Sequence, residues 1–453
     1  MSHRAVLPPV GEPLPLRMPD VHRARLSSGL ETLIVERRDL PVVDVQIVVQ
    51  AGAAHDFAAH AGRAHLTADL LDEGTSSRQA LQIAEEVEAL GASLRTRASW
   101  DYAAASLHVL RPHVEAATAL LADVLLQPAF DDAEFDRKQR ERLHAIGQER
   151  DDPRNLASMA FTRLVYGSEH PFGLPIGGVA ASVTALGAAD LAAYHSARYG
   201  PSAAFAVVCG DIRTDVALDL LEHHFGAWRT AVTPAPPLPA APAPRSRAIR
   251  IVDRPGAPQS EIRIGHAGPP RSSPDYVALH VANTILGGAF TSRLNILLRE
   301  EKGYTYGAGS SFAFRRNGGP FVASTAVGTA ATADAVNDMV SEVGRLVAEP
   351  VTANELARAQ SYLVLGLPRT FETTGDVAEH VSELALYDLP HDYYEEYAAA
   401  VRRVTPAEVQ AAAARWLRPE ELVIVVAGDA AAVSDELASL GIGAVDEYDE
   451  DAC

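Results

Sequence analysis

The sequence predicts an α+β fold made of two homologous halves. Each half should contain a mainly antiparallel sheet with helices packed on one face. Three observations support this: strand and helix patterns alternate among hairpin signals, a proline-rich segment lies near the middle, and the order of motifs repeats on either side of it. The length of 453 residues also exceeds what one hydrophobic core organises.

The central segment divides the chain. Residues 231–245, AVTPAPPLPAAPAPR, are rich in proline and alanine, which predicts an extended linker. The linker separates an N-terminal half, residues 1–230, from a C-terminal half, residues 246–445. The last residues, 446–453, predict a disordered acidic tail.

The halves follow one plan. In the first, VVDVQIVVQAG (42–52) reads as a strand, and a histidine follows at position 65. In the second, EIRIGHAG (261–268) is followed by His280. The copies are 216 residues apart at Gly52 and Gly268 and 218 apart at Gly210 and Gly428. This regularity predicts an internal duplication.

Local patterns indicate the individual elements. The stretch SLRTRASWDYAAASLHVL (93–110) alternates polar and apolar residues, which predicts an antiparallel ribbon. Thr352 with Glu355, and Thr405 with Glu408, have the spacing of capping boxes and predict helix starts. Strands and helices with antiparallel pairs together indicate the α+β class.

The charge balance limits the classes of partner that we expect. There are 39 Lys and Arg against 59 Asp and Glu, a formal charge of −20. An acidic surface repels phosphate backbones, so we expect no nucleic-acid partner. The acidity also permits a preference for basic ligands, or it simply keeps the protein soluble.

The chain shows no sign of export or membrane insertion. It has two cysteines, Cys209 in an apolar strand-like run and Cys453 at the end, so a disulfide framework is not expected. Residues 1–20 are broken by prolines and do not resemble a signal peptide. No apolar run has the length of a membrane span. These features predict a cytoplasmic protein without a membrane partner.

The first candidate site lies in AGRAHLTADLLDEGT (61–75). His65 and Asp69 are one helical turn apart, a spacing that can bind zinc from one helix face. Zinc hydrolysis also needs a third ligand and a base, but the residue before Asp69 is Ala68. Glu141 is the best third carboxylate in the next long helix. Taken by themselves, these residues favour the alternative, a helix whose histidine is merely hydrogen-bonded.

The second candidate site lies in LNILLREEKGYTYGAGSSF (294–312). A helix pattern stops at Gly303, with Arg299 before the break and Tyr306 after it. A guanidinium and a phenol are hydrogen-bond donors suited to a peptide carbonyl or a developing oxyanion. The alternative is an arginine paired with Glu300 or Glu301 and a tyrosine packed in a strand.

The chain resembles the pitrilysin/insulinase family of zinc peptidases, the inverzincins, whose helical motif is H-x-x-E-H. The family pattern GLAHLLEHMLFKGT is similar to GRAHLTADLLDEGT here, and YGSEHPFGLPIGG (166–178) also resembles a family segment. The resemblance implies two halves closed as a clamshell. In this register His65 keeps one zinc-ligand position. Ala68 replaces the base, Asp69 replaces the second ligand, and Lys138 stands at the third, so no metal is expected in this chain.

The same resemblance concerns Arg299 and Tyr306. Catalytic units of the family use an arginine and a tyrosine seven residues later. Some members divide the work between two chains, one with zinc and one without. The resemblance therefore implies the processing-peptidase-like, non-zinc subunit of a heterodimeric zinc metalloendopeptidase. Arg299 and Tyr306 would contact the peptide substrate, the partner would carry zinc, and the ribbon 93–110 would offer a sheet edge for substrate.

The sequence leaves two alternatives open. One is a non-catalytic structural or assembly protein of the same fold, like core subunits of respiratory complexes. The other is an independent hydrolase that binds a metal through His65, Asp69 and Glu141.

Overall fold

Each half of the chain is built around a six-stranded sheet. The computed structural model describes residues 17–242 and 246–449. Three predicted features therefore lie at least partly outside the described residues. They are most of the N-terminal segment without a signal-peptide pattern, the end of the acidic tail, and Cys453.

The first half contains six strands in the order β1-β2-β6-β3-β5-β4. The strands are β1 His22–Arg25, β2 Glu31–Glu36, β3 Val42–Val49, β4 Ser93–Ala98, β5 Ala103–Leu110 and β6 Ala204–Gly210. The helices are α1 Arg63–Asp69, α2 Ala80–Ala89, α3 Val114–Leu126, α4 Asp132–Asp151, α5 Pro153–Tyr166, α6 Ala180–Ala185, α7 Ala188–Arg198 and α8 Thr214–Phe225.

The second half has the order β12-β7-β11-β8-β10-β9. Its strands are β7 Ala248–Asp253, β8 Gln259–Ala267, β9 Ala308–Phe312, β10 Pro320–Gly328, β11 Val423–Gly428 and β12 Ala444–Glu447. Its helices are α9 Tyr276–Asn283, α10 Arg293–Asn295, α11 Thr332–Ala348, α12 Ala353–Gly366, α13 Thr374–Leu386, α14 Tyr393–Arg403, α15 Pro406–Trp416 and α16 Ala430–Ser439. Five strands occupy equivalent places in the two sheets, so the predicted duplication is confirmed.

Both sheets are mainly antiparallel, as predicted, but the first contains one parallel pair and the second contains two. β2 pairs in parallel with β6, and β7 with β11 and β12. Parallel strands need a long crossover connection, and the helices of each half lie in these connections. The ribbon 93–110 is the antiparallel pair β4–β5, and β4 forms the edge of its sheet.

The predicted helix starts are present. Thr352 and Thr405 cap α12 and α15, each in a reciprocal box with the glutamate three residues later. Residues 231–242 contain neither helix nor strand, as an extended linker requires. The predicted tail begins too early at 446, because Asp446 and Glu447 belong to β12, where the Asp446 carboxylate lies 2.8 Å from Arg250.

Each half contributes one helix that packs on the sheet of the other half, and these two helices are called the exchanged helices. α5 of the first half packs on β8 and β11 of the second, and α13 of the second half packs on β3 and β6 of the first. Phe161 and Leu156 of α5 share a buried cluster with Val425 of β11. Val381 of α13 shares another with Val207 of β6. Each sheet thus has its own helices on one face and a helix from the other half on the opposite face.

In the described part of the chain, no helix is both long enough and apolar enough to cross a bilayer.

Candidate functional site

The helix that carries the first candidate site is fixed at its start by two glycines and a buried carboxylate. Gly62 precedes α1 at φ +94°, and a Cβ there would lie 2.8 Å from the carbonyl oxygen of Gly177. The Asp56 carboxylate accepts a hydrogen bond of 2.6 Å from the backbone N–H of Ala64. Burial raises the pKa of Asp56 to about 6, although the Arg63 guanidinium lies 3.2 Å away.

His65 and Asp69 leave α1 on the same side and contact each other. The distance between His65 Nε2 and Asp69 Oδ2 is 3.3 Å. Burial lowers the pKa of His65, an effect that the charge of Asp69 partly opposes. The imidazole is therefore neutral at pH 7. Ala68, where the predicted register places the base, is fully buried and offers only a methyl group.

Helix α4 presents cations to this pair. Lys138 Nζ lies 2.7 Å from Glu73 Oε1, and the positive charges of Lys138 and Arg142 both lower the pKa of His65. The Arg142 guanidinium makes two hydrogen bonds to Glu149, of 2.7 and 2.8 Å. The place opposite His65 and Asp69 thus contains protein cations, which repel a divalent ion.

Glu141 does not join the pair as a third ligand. Its carboxylate is 2.8 Å from Arg137 Nη1, and its side chain is 56% exposed. Within residues 17–242 and 246–449, no group of three or more His, Cys, Asp or Glu side chains is placed to hold a metal. The donors that remain, one imidazole and one carboxylate, do not fit the tetrahedral set that zinc requires.

The equivalent helix of the second half also contains a histidine, and this residue is hydrogen-bonded to another side chain. His280 lies in α9, and its Nδ1 is 2.7 Å from the hydroxyl of Tyr397. Burial lowers its pKa to about 4. His280 is therefore a neutral core histidine, hydrogen-bonded between helices.

Arg299 lies near the end of the helical segment after α10. This segment, Ile296–Glu301, has the wider π-helical turn, which is common at functional sites. The guanidinium carbon of Arg299 is 4.5 Å from the centroid of Phe290, and its Nε is 3.6 Å from Glu300 Oε1. The pairing with Glu300 that the sequence allowed is present, but loosely, and the side chain is 34% exposed.

Tyr306 lies in the turn that follows. Gly303 adopts φ +67° and ends the helix as predicted. Thr305 Oγ1 accepts a 3.1 Å hydrogen bond from the Gly307 N–H, and the Asn295 side chain accepts a 3.2 Å hydrogen bond from the Ala308 N–H. The turn is thus held at its end, while Tyr306 is 96% exposed. Across the described residues, no hydrogen bond engages its hydroxyl or joins it to Arg299.

Three contributors to the first site were not predicted: Glu73, Arg142 and Glu149. Glu73 follows the motif by four residues, and the other two are seven residues apart on α4, a spacing that puts them on one side of the helix. Their charges alone could have indicated an ion-pair network, but the sequence does not show which face of α4 turns toward α1.

Two family models match the chain. Residues 32–169 match the model described as insulinase (peptidase family M16), and residues 185–363 match the one described as peptidase M16 inactive domain. An uncharacterized zinc protease of Mycobacterium leprae is 30% identical over 414 residues, which cover 88% of this chain and 90% of the relative. The chain belongs to the M16 peptidase family.

Two further comparisons are with a solved structure and with a mitochondrial protein. The crystal structure of a peptidase M16 inactive domain from Pseudomonas fluorescens matches with a TM-score of 0.84 at 27% identity, covering 90% of this chain and 98% of that one. Cytochrome b-c1 complex subunit 1 of Bos taurus mitochondria is 25% identical over 271 residues, or 60% of this chain and 56% of that protein. The family and the two-half fold predicted from sequence are confirmed.

Proposed function

We propose that this M16 chain is the non-zinc subunit of a heterodimeric zinc endopeptidase. The observation that carries the proposal is a contrast between its two sites. The motif helix has lost its base at Ala68, and cations of α4 face His65 and Asp69. The other site keeps an arginine and an almost fully exposed tyrosine in the family spacing.

The chemistry of the second site suits substrate binding. The exposed Tyr306 phenol has no partner within residues 17–242 and 246–449, so its O–H is free to donate to a peptide carbonyl. Arg299 rests on Phe290, which limits the positions of the guanidinium and prepares it to donate as well. Two such donors stabilise negative charge that develops on a carbonyl oxygen during attack by water.

The division of labour follows from the poor fit of zinc to this chain. A partner with an intact H-x-x-E-H motif would supply the metal, its ligands and the base. This chain would hold the substrate, and the edge strand β4 offers unpaired backbone groups to an extended peptide. The few cysteines, with Cys209 buried, suit our proposal that the complex works in the cytoplasm.

Reconstitution tests this proposal. The chain is mixed with an M16 member of the same genome that contains H-x-x-E-H, and peptide cleavage is measured for each chain alone and for the mixture. We expect activity only in the mixture and a large loss with Tyr306→Phe. Arg403→Gln, which removes the charge of an exposed arginine on α14, is the control. Cleavage that is unchanged by Tyr306→Phe would contradict the role of this residue.

An assembly role is the second candidate, and the similarity to cytochrome b-c1 complex subunit 1 favours it. Such a role makes no use of an exposed Tyr306 or of Arg299. A stable complex with the zinc-containing member that never cleaves peptide would support assembly instead. Stoichiometric zinc and peptide cleavage by the purified chain alone would favour the independent hydrolase.

A further inference from the structure

Two cavities meet around Arg271, and neither is lined by the residues of the two sites described above. The interdomain cavity, about 720 Å³, is lined by Val48 and Tyr102 of the first half and by Phe312, Phe314 and Tyr387 of the second. The tyrosine cavity, about 650 Å³, is lined by Tyr362, Leu365, Tyr393, Tyr394 and Tyr397. Arg271, Tyr276, Arg369, His380 and Glu383 border both cavities.

Aromatic rings form much of these walls. Tyr276 and Phe314 meet edge to face, with centroids 4.6 Å apart, and Phe312 stacks on Phe314 at 5.5 Å. Tyr393 and Tyr397 stack at 6.0 Å in the tyrosine cavity. Concave sites of this size with several aromatic side chains in their walls bind small ligands, and the rings favour a planar ring in the ligand.

Most charges at the cavities are already compensated. Arg271 is only 5% exposed, and its Nε and Nη2 each lie 3.4 Å from Glu383 Oε1. Glu383 also accepts a hydrogen bond of 2.5 Å from the Tyr394 hydroxyl. Arg97 is paired with Glu379 at 3.1 Å. A ligand therefore gains little net charge attraction from these groups.

Arg369 differs from these charged groups because its charge is not compensated by a neighbouring side chain in the described part of the chain. It lies in the short 3-10 turn Leu367–Phe371, is exposed, and borders both cavities. No hydrogen bond or ion pair joins its guanidinium to another residue among residues 17–242 and 246–449. The nearby Asp376 is engaged instead with the hydroxyl of Thr373, at 2.7 Å. An unpaired guanidinium beside an aromatic cavity can bind a carboxylate through two parallel hydrogen bonds.

We propose that these joined cavities bind an aromatic carboxylate, with its ring in the tyrosine cavity and its carboxylate on Arg369. Two sources share this chemistry: a free aromatic acid, and the C-terminal phenylalanine, tyrosine or tryptophan of a peptide. Binding uses residues of this chain alone, so it is independent of zinc, of a partner and of Tyr306.

Calorimetric titration of the complete chain tests the proposal. The ligands are N-acetylphenylalanine, its primary amide, N-acetylleucine and a short peptide that ends in phenylalanine. We expect saturable binding of at least one ligand with a free aromatic carboxylate, about tenfold weaker binding of the amide, and weaker binding of the leucine derivative. Tight binding of the peptide with little affinity for the small acid identifies the peptide end as the ligand; comparable affinities identify the free acid. The absence of saturable binding, or equal affinity for acid and amide, would overturn the proposal.

Three variants locate the ligand. Arg369→Gln should bring the affinity for the acid down to that for the amide. Arg403→Gln, at an exposed arginine on α14, is the matched control and should keep the wild-type difference. Ser361→Trp fills the tyrosine cavity from α12 and should abolish binding of both ligands. Wild-type discrimination in Arg369→Gln, or wild-type affinity in Ser361→Trp, would exclude this position for the ligand.

Discussion

The guanidinium carbon of Arg315 lies 4.2 Å from the centroid of the Trp100 ring, and the two residues belong to opposite halves of the chain. The Phe172 ring, also of the first half, is 4.4 Å from the same carbon. Burial lowers the pKa of Arg315 to about 10, so the group stays protonated at neutral pH. Its Nη1 has no hydrogen-bond partner among the described residues. The aromatic faces therefore provide much of the stabilisation of this charge.

Replacing this guanidinium by an ammonium should weaken the contact between the halves. We expect Arg315→Lys to lower the free energy of unfolding by about 1–2 kcal/mol, because lysine keeps the charge but cannot lie flat against two rings. Urea denaturation measures the loss. Arg403→Lys, on an exposed helix face, should change it little. Equal stability of the two variants would mean that stacking on Trp100 and Phe172 contributes nothing.

His266 should make stability fall on acidification. Its Nε2 accepts a 3.1 Å hydrogen bond from the Arg418 N–H, and its Nδ1 donates to the Ala267 carbonyl at 3.0 Å, so the folded state needs the neutral ring. Burial lowers its pKa from the ordinary 6.5 to about 4. The unfolded chain then binds more protons, and stability present above pH 6.5 is lost as the pH falls toward 4, by about 3 kcal/mol in total.

Denaturant unfolding at a series of pH values measures this loss. His266→Gln keeps a donor and an acceptor but does not titrate, so its stability should depend less steeply on pH in this interval. His280 contributes in the same direction in both proteins and cancels in the comparison. Identical slopes for the wild type and the variant would show that His266 does not titrate as described.

Much of the fold could be predicted because it depends on local patterns. The edge ribbon 93–110, the capping boxes at Thr352 and Thr405, and the helix stop at Gly303 are each specified within a few residues. The duplication was visible because both copies keep the same spacing. The exchange of α5 and α13 was not predicted, since an apolar helix face does not show which of two similar sheets it will cover.

Each candidate site also has some features that could be predicted from sequence and others that could not. That position 68 offers only a methyl group can be read from the sequence alone. Glu73, Arg142 and Glu149 depend on how α4 turns toward α1, which is a tertiary property. Likewise, the sequence left open whether Tyr306 packs in a strand or is exposed, because YTYGAGSSF fits a strand until the turn around Thr305 is known.

The exchanged helices should make the two halves unfold together. Phe161 of α5 is 2% exposed on the sheet of the second half. We expect Phe161→Ala to lower the free energy of unfolding by about 3–5 kcal/mol. Hydrogen exchange should accelerate in β8 and β11 as well as in α5. Val381→Ala on α13 is the reciprocal variant and should accelerate exchange in β3 and β6. Faster exchange confined to the mutated half would contradict this coupling.

Restoring the motif alone should not restore a metal site. The double variant Ala68→Glu, Asp69→His recreates H-x-x-E-H on α1, but Lys138 and Arg142 still place positive charge beside it. We expect far less than one zinc per chain after purification and dialysis, because the third ligand is missing and cations repel the ion. Metal analysis by mass spectrometry measures the content. Stoichiometric zinc in the double variant would show that the α4 cations do not block the site.

Arg299 and Tyr306 should act as one unit if both donate to the same carbonyl oxygen. In the reconstituted complex, we expect Tyr306→Phe to lower kcat/KM by about 100-fold to 1,000-fold, the usual loss for one oxyanion donor. Arg299→Gln should have an effect of similar size. The loss in kcat/KM of the double variant should be much smaller than the product of the two single losses, because removing either donor already disrupts the shared contact. Complex formation, measured separately by sedimentation, should be unchanged in all three variants. Losses that multiply would show that the two side chains act at different points of the substrate.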